Sequence, residues 1–166
     1  IEWFDVGSIG RSPARFDLAK LESVNAHYLQ ECDNARPVDL VVPFIEKRAG
    51  VTVDATGRAR LLAGMDGLKP RAKSLVELAD NATFYISRPQ HPLAIPKAAK
   101  LLTGDGPDQL SALPGLFETM ETWSSEPIES AIRGHAEANA LGLGKIAQPL
   151  RAALTGSNAS PGIFEV

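Results

Sequence analysis

The chain is 166 residues long, 44% hydrophobic and net −3 in formal charge, with one cysteine and three histidines. That length buries a hydrophobic core without a staple; Cys32 cannot form an internal disulfide, and His27, His91 and His135 complete no zinc spacing. The negative balance argues against wholesale wrapping of nucleic acid, which draws on many lysines and arginines to displace counterions, so any such contact is expected to be local.

No apolar run approaches the roughly 20 residues that span a bilayer, and Ile1 to Asp5 lack a signal-peptide pattern. These features give the expectation of a soluble protein in a reducing, cytoplasmic setting, with no membrane contact. The sequence opens on Ile1 and stops at Val166 just after Ile163 and Phe164, so it reads as an excerpt of something longer.

Apolar residues recur at helical spacing almost throughout, which predicts an all-α fold. In chain order the candidate helices cover 17–31, 37–49, 54–65, 70–79, 96–102, 107–120, 126–141 and a last one ending near Thr155. Pro43 and Pro114 are placed to kink or split their helices. Gly50, Gly104 and Gly156 follow periodic stretches and suit left-handed caps, while Ser125 ahead of Pro127 reads as an N-terminal cap. The stretch 83–95, with Arg88-Pro89-Gln90-His91-Pro92, reads as a connection between two helical subdomains. The acidic stretch 105–137 reads as a solvated face.

Two segments stand out for chemistry. If a helix starts at Pro70, then Lys69, Arg71 and Lys73 crowd the positive end of its macrodipole while Glu77 and Asp80 sit near the negative end, each placed against the dipole. Repeated violation of a local rule points either to an anion- or base-edge-binding tip or to a solubilising patch screened by salt. In the second segment, Ile146, Leu150, Ala153 and Leu154 share one helical face and Lys145, Gln148 and Arg151 step along another. Pro149 either kinks this helix or begins it, and in both cases Arg151 is expected to project into solvent. The loop from Ser157 to Gly162 offers polar groups of the kind that hold a splayed-out RNA base, or is simply a surface loop.

Enzyme signatures fail. Gly142-Leu143-Gly144-Lys145 ends like a phosphate loop, but Ile146 stands where Ser or Thr is needed and Asn139 where the leading glycine is needed. No nucleophile-elbow pattern supports a Ser/His/Asp grouping.

The string GKIAQPLRAALTGSNASPGIFEV, with Gly10-Arg11-Ser12-Pro13-Ala14-Arg15-Phe16-Asp17 near the start and Leu68-Lys69-Pro70-Arg71-Ala72 between them, resembles bacterial-type glutamyl-tRNA synthetases, a class I aminoacyl-tRNA synthetase family. The resemblance implies the C-terminal, anticodon-binding part of an enzyme that attaches glutamate to tRNA. It divides the chain into the end of a stem-contact element (1–34) and two helical subdomains of an anticodon-binding cage (35–93 and 94–166). The class I catalytic signatures do not occur here, so no catalytic residue or cofactor is expected in this stretch; ATP and Mg2+ belong to a catalytic domain outside it. The resemblance further implies that Arg71 contacts the third anticodon base, and that Arg151, with Ser160, Pro161 and Ile163, contacts the first. Arg11, Arg15, Lys20, Lys69 and Lys145 are secondary candidates for the tRNA backbone. The expected partner is glutamate-specific tRNA and the expected state a monomer. The alternative is a freestanding helical module that binds protein, suggested by the net acidic charge.

Overall fold

The computed structural model describes residues 15–166; the candidate Arg11 lies outside them. Among the described residues every regular element is helical, as the spacing of apolar residues predicts. The helices are α1 (Leu18–Glu31), α2 (Ala35–Ala49), α3 (Ala55–Leu68), α4 (Leu75–Ala82), α5 (Pro96–Leu101), α6 (Gly106–Ser111), α7 (Leu113–Glu118), α8 (Ser125–Ala138) and α9 (Gly144–Thr155), with short 3-10 turns at Lys69–Arg71 and Thr83–Tyr85.

Local chemistry sets several of the boundaries. The Asp17 and Asp54 carboxylates accept from the N–H groups of Lys20 and Gly57 and so cap α1 and α3. Gly50 and Gly156 end α2 and α9 in the left-handed region, at φ 67° and 70°. Pro43 lies inside α2 without ending it, whereas the 107–120 stretch divides into α6 and α7, with Pro114 in the first turn of α7. Ser124, not Ser125, occupies the N-cap position of α8, and its side chain makes no capping bond. Glycine is absent from the end of α8; instead Ala140 takes φ 53°.

The helix expected over 70–79 is corrected. Residues 69–71 continue α3 as a 3-10 turn, and α4 starts only at Leu75, capped by Ser74, whose hydroxyl accepts the Glu77 N–H at 3.2 Å. Glu77 therefore sits in the first turn, where a carboxylate is favoured, and accepts the Lys73 N–H at 2.8 Å. Lys69 and Arg71 stand at the C-terminal end of α3, where cations are favoured. The supposed clash with the dipole is removed for Lys69, Arg71 and Glu77, because the helix starts five residues later than Pro70 suggests; Lys73, just before α4, and Asp80, in its last turn, are still placed against the dipole but pair with Glu22 and Arg48.

Burial is organised around separate apolar clusters. Val41 and Ile45 of α2, Leu61, Met65 and Leu68 of α3, and Leu78 and Ala82 of α4 form the largest. Leu113, Ile132, Ala136 and Ile146 form a second, against which Leu150 and Phe164 pack. A third joins Leu93 and Ala98 to Ala152. Helix α9 serves both of the latter, so its buried positions are Ile146, Pro149 and Ala152. The helix runs unbroken through Pro149. Leu154, expected to anchor α9, is 47% exposed.

Glycines decide where helices touch. A Cβ on Gly64 would clash with Cζ and the hydroxyl of Tyr85, and one on Gly67 would lie 2.8 Å from Cβ of Pro161. Gly134, inside α8, has open space around it. Gly134→Ala is therefore expected to raise stability by about 0.5 to 1 kcal/mol through helix propensity. By contrast, Gly64→Ala should lower it by about 1 to 3 kcal/mol through overpacking. Denaturant midpoints distinguish the two; an increase for both would mean that the Tyr85 ring does not occupy the Gly64 notch.

Candidate nucleic-acid interface

Arg71 closes the 3-10 turn that prolongs α3, so its position follows from that helix. It is exposed, and its Nη1 donates to the Gly67 carbonyl at 3.0 Å, across the last turn of α3. This single bond holds the guanidinium against the helix end and leaves most of its five donors directed outward. Its backbone carbonyl accepts from Asn81 Nδ2 at 3.2 Å, which ties the turn to α4.

Arg71 borders two open clefts. One, of about 560 Å³, lies between α3 and the C-terminal loop and is lined by Gly64, Asp66, Gly67, Pro161 and Glu165. The other, of about 630 Å³, is bounded by Ala26 and Gln30 of α1 and by Glu77, Asp80 and Asn81 of α4. The first cleft brings together two predicted site residues from distant parts of the chain, Arg71 and Pro161.

Arg151 departs from the expectation of full solvent exposure. It is half-buried, and its Nε donates to Ser160 Oγ at 3.0 Å; the serine hydroxyl donates on to the Pro161 carbonyl at 2.9 Å. That relay fixes the guanidinium plane through Nε while the two terminal nitrogens keep the fork geometry suited to a planar acceptor. Pro161 is fully buried and Ile163 is 9% exposed. Both anchor the loop, so its outward polar groups are those of Ser160 and the backbone.

The backbone candidates separate in the same way. Lys69 is 8% exposed, and its Nζ donates to the Cys32 carbonyl at 2.8 Å, closing the C-terminal end of α1. Its ammonium is committed to that internal contact, which corrects its placement among surface cations. Arg15, Lys20 and Lys145 are exposed, the first just ahead of α1, the second in its first turn and the last in the first turn of α9. Lys73 pairs with Glu22 at 3.6 Å.

Glu165, absent from the sequence expectation, also lines the first cleft, and Tyr85 packs beside it. Tyr85 fills the notch at Gly64, and its hydroxyl reaches the Glu165 carbonyl at 3.5 Å. The Glu165 carboxylate accepts the Gly162 N–H at 3.0 Å. Three glycines within the 14 residues of α3, a costly choice for a helix interior, were the available signal that something approaches this helix closely. Among the described residues no group of three or more His, Cys, Asp or Glu side chains is placed to hold a metal ion. Nor is any helix there long and apolar enough to cross a membrane.

Residues 36–166 match a family model described as an anticodon binding domain. A glutamate-tRNA ligase of Rhodospirillum centenum is 52% identical over 99% of this chain and 35% of its own length. One from Sphingopyxis alaskensis is 49% identical over 100% of this chain and 34% of its own length. The chain thus spans about a third of these curated relatives. A crystal structure of a glutamate tRNA ligase from Elizabethkingia meningosepticum, in complex with its amino acid, superposes with a TM-score of 0.74 over 98% of this chain and 31% of that one. At 24% identity, this similarity speaks to the fold.

Burial first, and the Glu165 charge second, raise the Tyr85 phenol above the ordinary 10.0. The fold favours the neutral phenol, so this contribution to stability is complete below pH 10 and is lost as pH rises through the raised value. With Tyr28→Phe, Tyr85 becomes the only tyrosine. Its ultraviolet titration in the folded protein should then lie above that of the denatured chain; coincident curves would place the ring in water.

Proposed function

Because the chain belongs to the anticodon-binding-domain family, we propose that it reads the anticodon loop of a glutamate-specific tRNA as the C-terminal part of a glutamate-tRNA ligase. The observation that carries this reading is the cleft shared by Arg71 and the C-terminal loop, beside the Arg151–Ser160 relay. Two guanidiniums, each held by one internal bond, present donors of the type that pair with base edges and stack on base faces. In this reading Arg71 meets the third anticodon base, and Arg151 with the Ser160-Pro161-Gly162-Ile163 loop meets the first. Pro161 and Ile163 contribute by seating the loop.

The same reading makes 1–34 the end of a stem-contact element and 35–93 and 94–166 the two halves of a helical cage. Exposed Arg15, Lys20 and Lys145 are suited to phosphate contacts, and Arg11 shares that assignment from sequence. The whole protein is a cytoplasmic monomer in this proposal. Its ATP and Mg2+ are held by a catalytic domain outside these residues, and no chemical step is assigned here.

Arg71→Ala and Arg151→Ala, introduced into the full-length ligase, should each weaken tRNA recognition by about 1 to 3 kcal/mol. The loss should appear in KM for tRNA, with glutamate and ATP kinetics unchanged. Unaltered tRNA kinetics in both variants would overturn the reading and favour a protein-binding module.

A further inference from the structure

The two candidate base-reading points are linked through the contact of Pro161 with Gly67, and exposed Glu165 borders that contact. Its Oε2 accepts the Gly162 N–H at 3.0 Å. A Cβ added at Gly162 would lie 2.9 Å from Cδ of Glu165, and one at Gly67 would lie 3.6 Å from its Oε2. The carboxylate is therefore held between the loop that carries Ser160 and the helix turn whose Gly67 carbonyl receives Arg71. Its own backbone carbonyl receives the Tyr85 hydroxyl at 3.5 Å, from the 3-10 turn that follows α4. Glu165 also borders the cleft that Arg71 and Pro161 share.

We infer that Glu165 is a positioning residue that fixes the 160–163 loop against α3, so that the Arg71 and Arg151 sites present themselves to RNA in one register. The inference rests on the anticodon-reading function proposed above. Glu165 itself is not assigned a contact with a base. A carboxylate on a rim offered to RNA repels phosphate, and its presence there is accounted for by the bond it makes to Gly162 and by its seat beside Gly67. Removing the acceptor frees the Gly162 N–H and leaves the 162–165 turn with only its backbone bond from Glu165 N–H to the Gly162 carbonyl at 2.8 Å, so Ser160 and the Arg151 that donates to it lose part of their support while Pro161 stays buried. An amide at this position retains an oxygen that can accept the same N–H.

The test uses the full-length ligase and tRNA transcripts substituted singly at each anticodon position. Glu165→Ala should reduce discrimination at the position read by the Arg151 side by about three- to tenfold, the scale of one positioning hydrogen bond. The change should appear in KM for tRNA with kcat retained, and Glu165→Gln should restore most of it. A purely structural role predicts a uniform fall at all three positions together with a lower melting temperature, and that pattern would overturn the inference. If Arg71→Ala and Arg151→Ala alter the discrimination profile while Glu165→Ala does not, the positioning role alone falls. If none of the three alters it, the anticodon-reading proposal falls as well.

Discussion

Close approach at the C-terminal half of α3 governs how the rest of this molecule is arranged. Gly64 admits the Tyr85 ring and Gly67 admits Pro161, at separations that no residue with a Cβ would permit without a shift. Tyr85 and Phe84, whose ring centroids lie 4.3 Å apart, leave the first cluster of helices here; Pro161 returns from the far end of the chain. The cleft exists because these two arrivals meet the same helix turn. Arg71 stands over it because the 69–71 turn prolongs that helix, and its guanidinium bonds the carbonyl of the glycine that receives Pro161. One residue, Gly67, thus contributes through its missing side chain on one side and through its carbonyl on the other.

Electrostatics follows from the same geometry. Lys69 closes the carbonyl end of α1 and Arg71 that of α3, so both cations lie where the macrodipole favours them. Opposite charges elsewhere pair locally, as in Arg48 with Asp80, Arg58 with Asp39 and Arg133 with Glu129. Exposed pairs of this kind contribute little to stability. In the proposed reading, the net-acidic balance keeps contacts to RNA local rather than spread along the whole surface.

Much of the fold is legible in the sequence where a boundary is set by local chemistry. Asp17, Asp54, Gly50 and Gly156 each mark a helix end through their own side chain or lack of one. The stretch after Leu68 is not, because Pro70 is the stronger apparent start signal, whereas the bond from Glu77 N–H to Ser74 defines α4. Leu154 and Pro149 show a second kind of failure. Periodicity gives α9 one apolar face, but the helix packs against two clusters, and that choice of partners buries Ile146, Pro149 and Ala152 instead. Arg71 and Arg151 are legible as candidates from their flanking motifs. Lys69 and Tyr85 owe their roles to contacts with partners 37 and 80 residues away in sequence, which no local pattern encodes.

The burial of Pro161 and Ile163 changes what the C-terminal loop can offer in the proposed reading. A loop with free apolar side chains would meet a base by adaptive packing and would have to order itself on binding. Here the apolar residues are already spent on seating the loop, and Ser160 is engaged with Arg151 before any ligand arrives. Holding Nε removes rotamer freedom from the guanidinium in advance, which lowers the entropy cost of binding and restricts its fork to one plane. A fixed plane accepts fewer partners than a mobile one. The same joint at Gly67 that seats the loop therefore also supplies the selectivity expected of Arg151, since a guanidinium held in position can discriminate between base edges only to the extent that its support does not move.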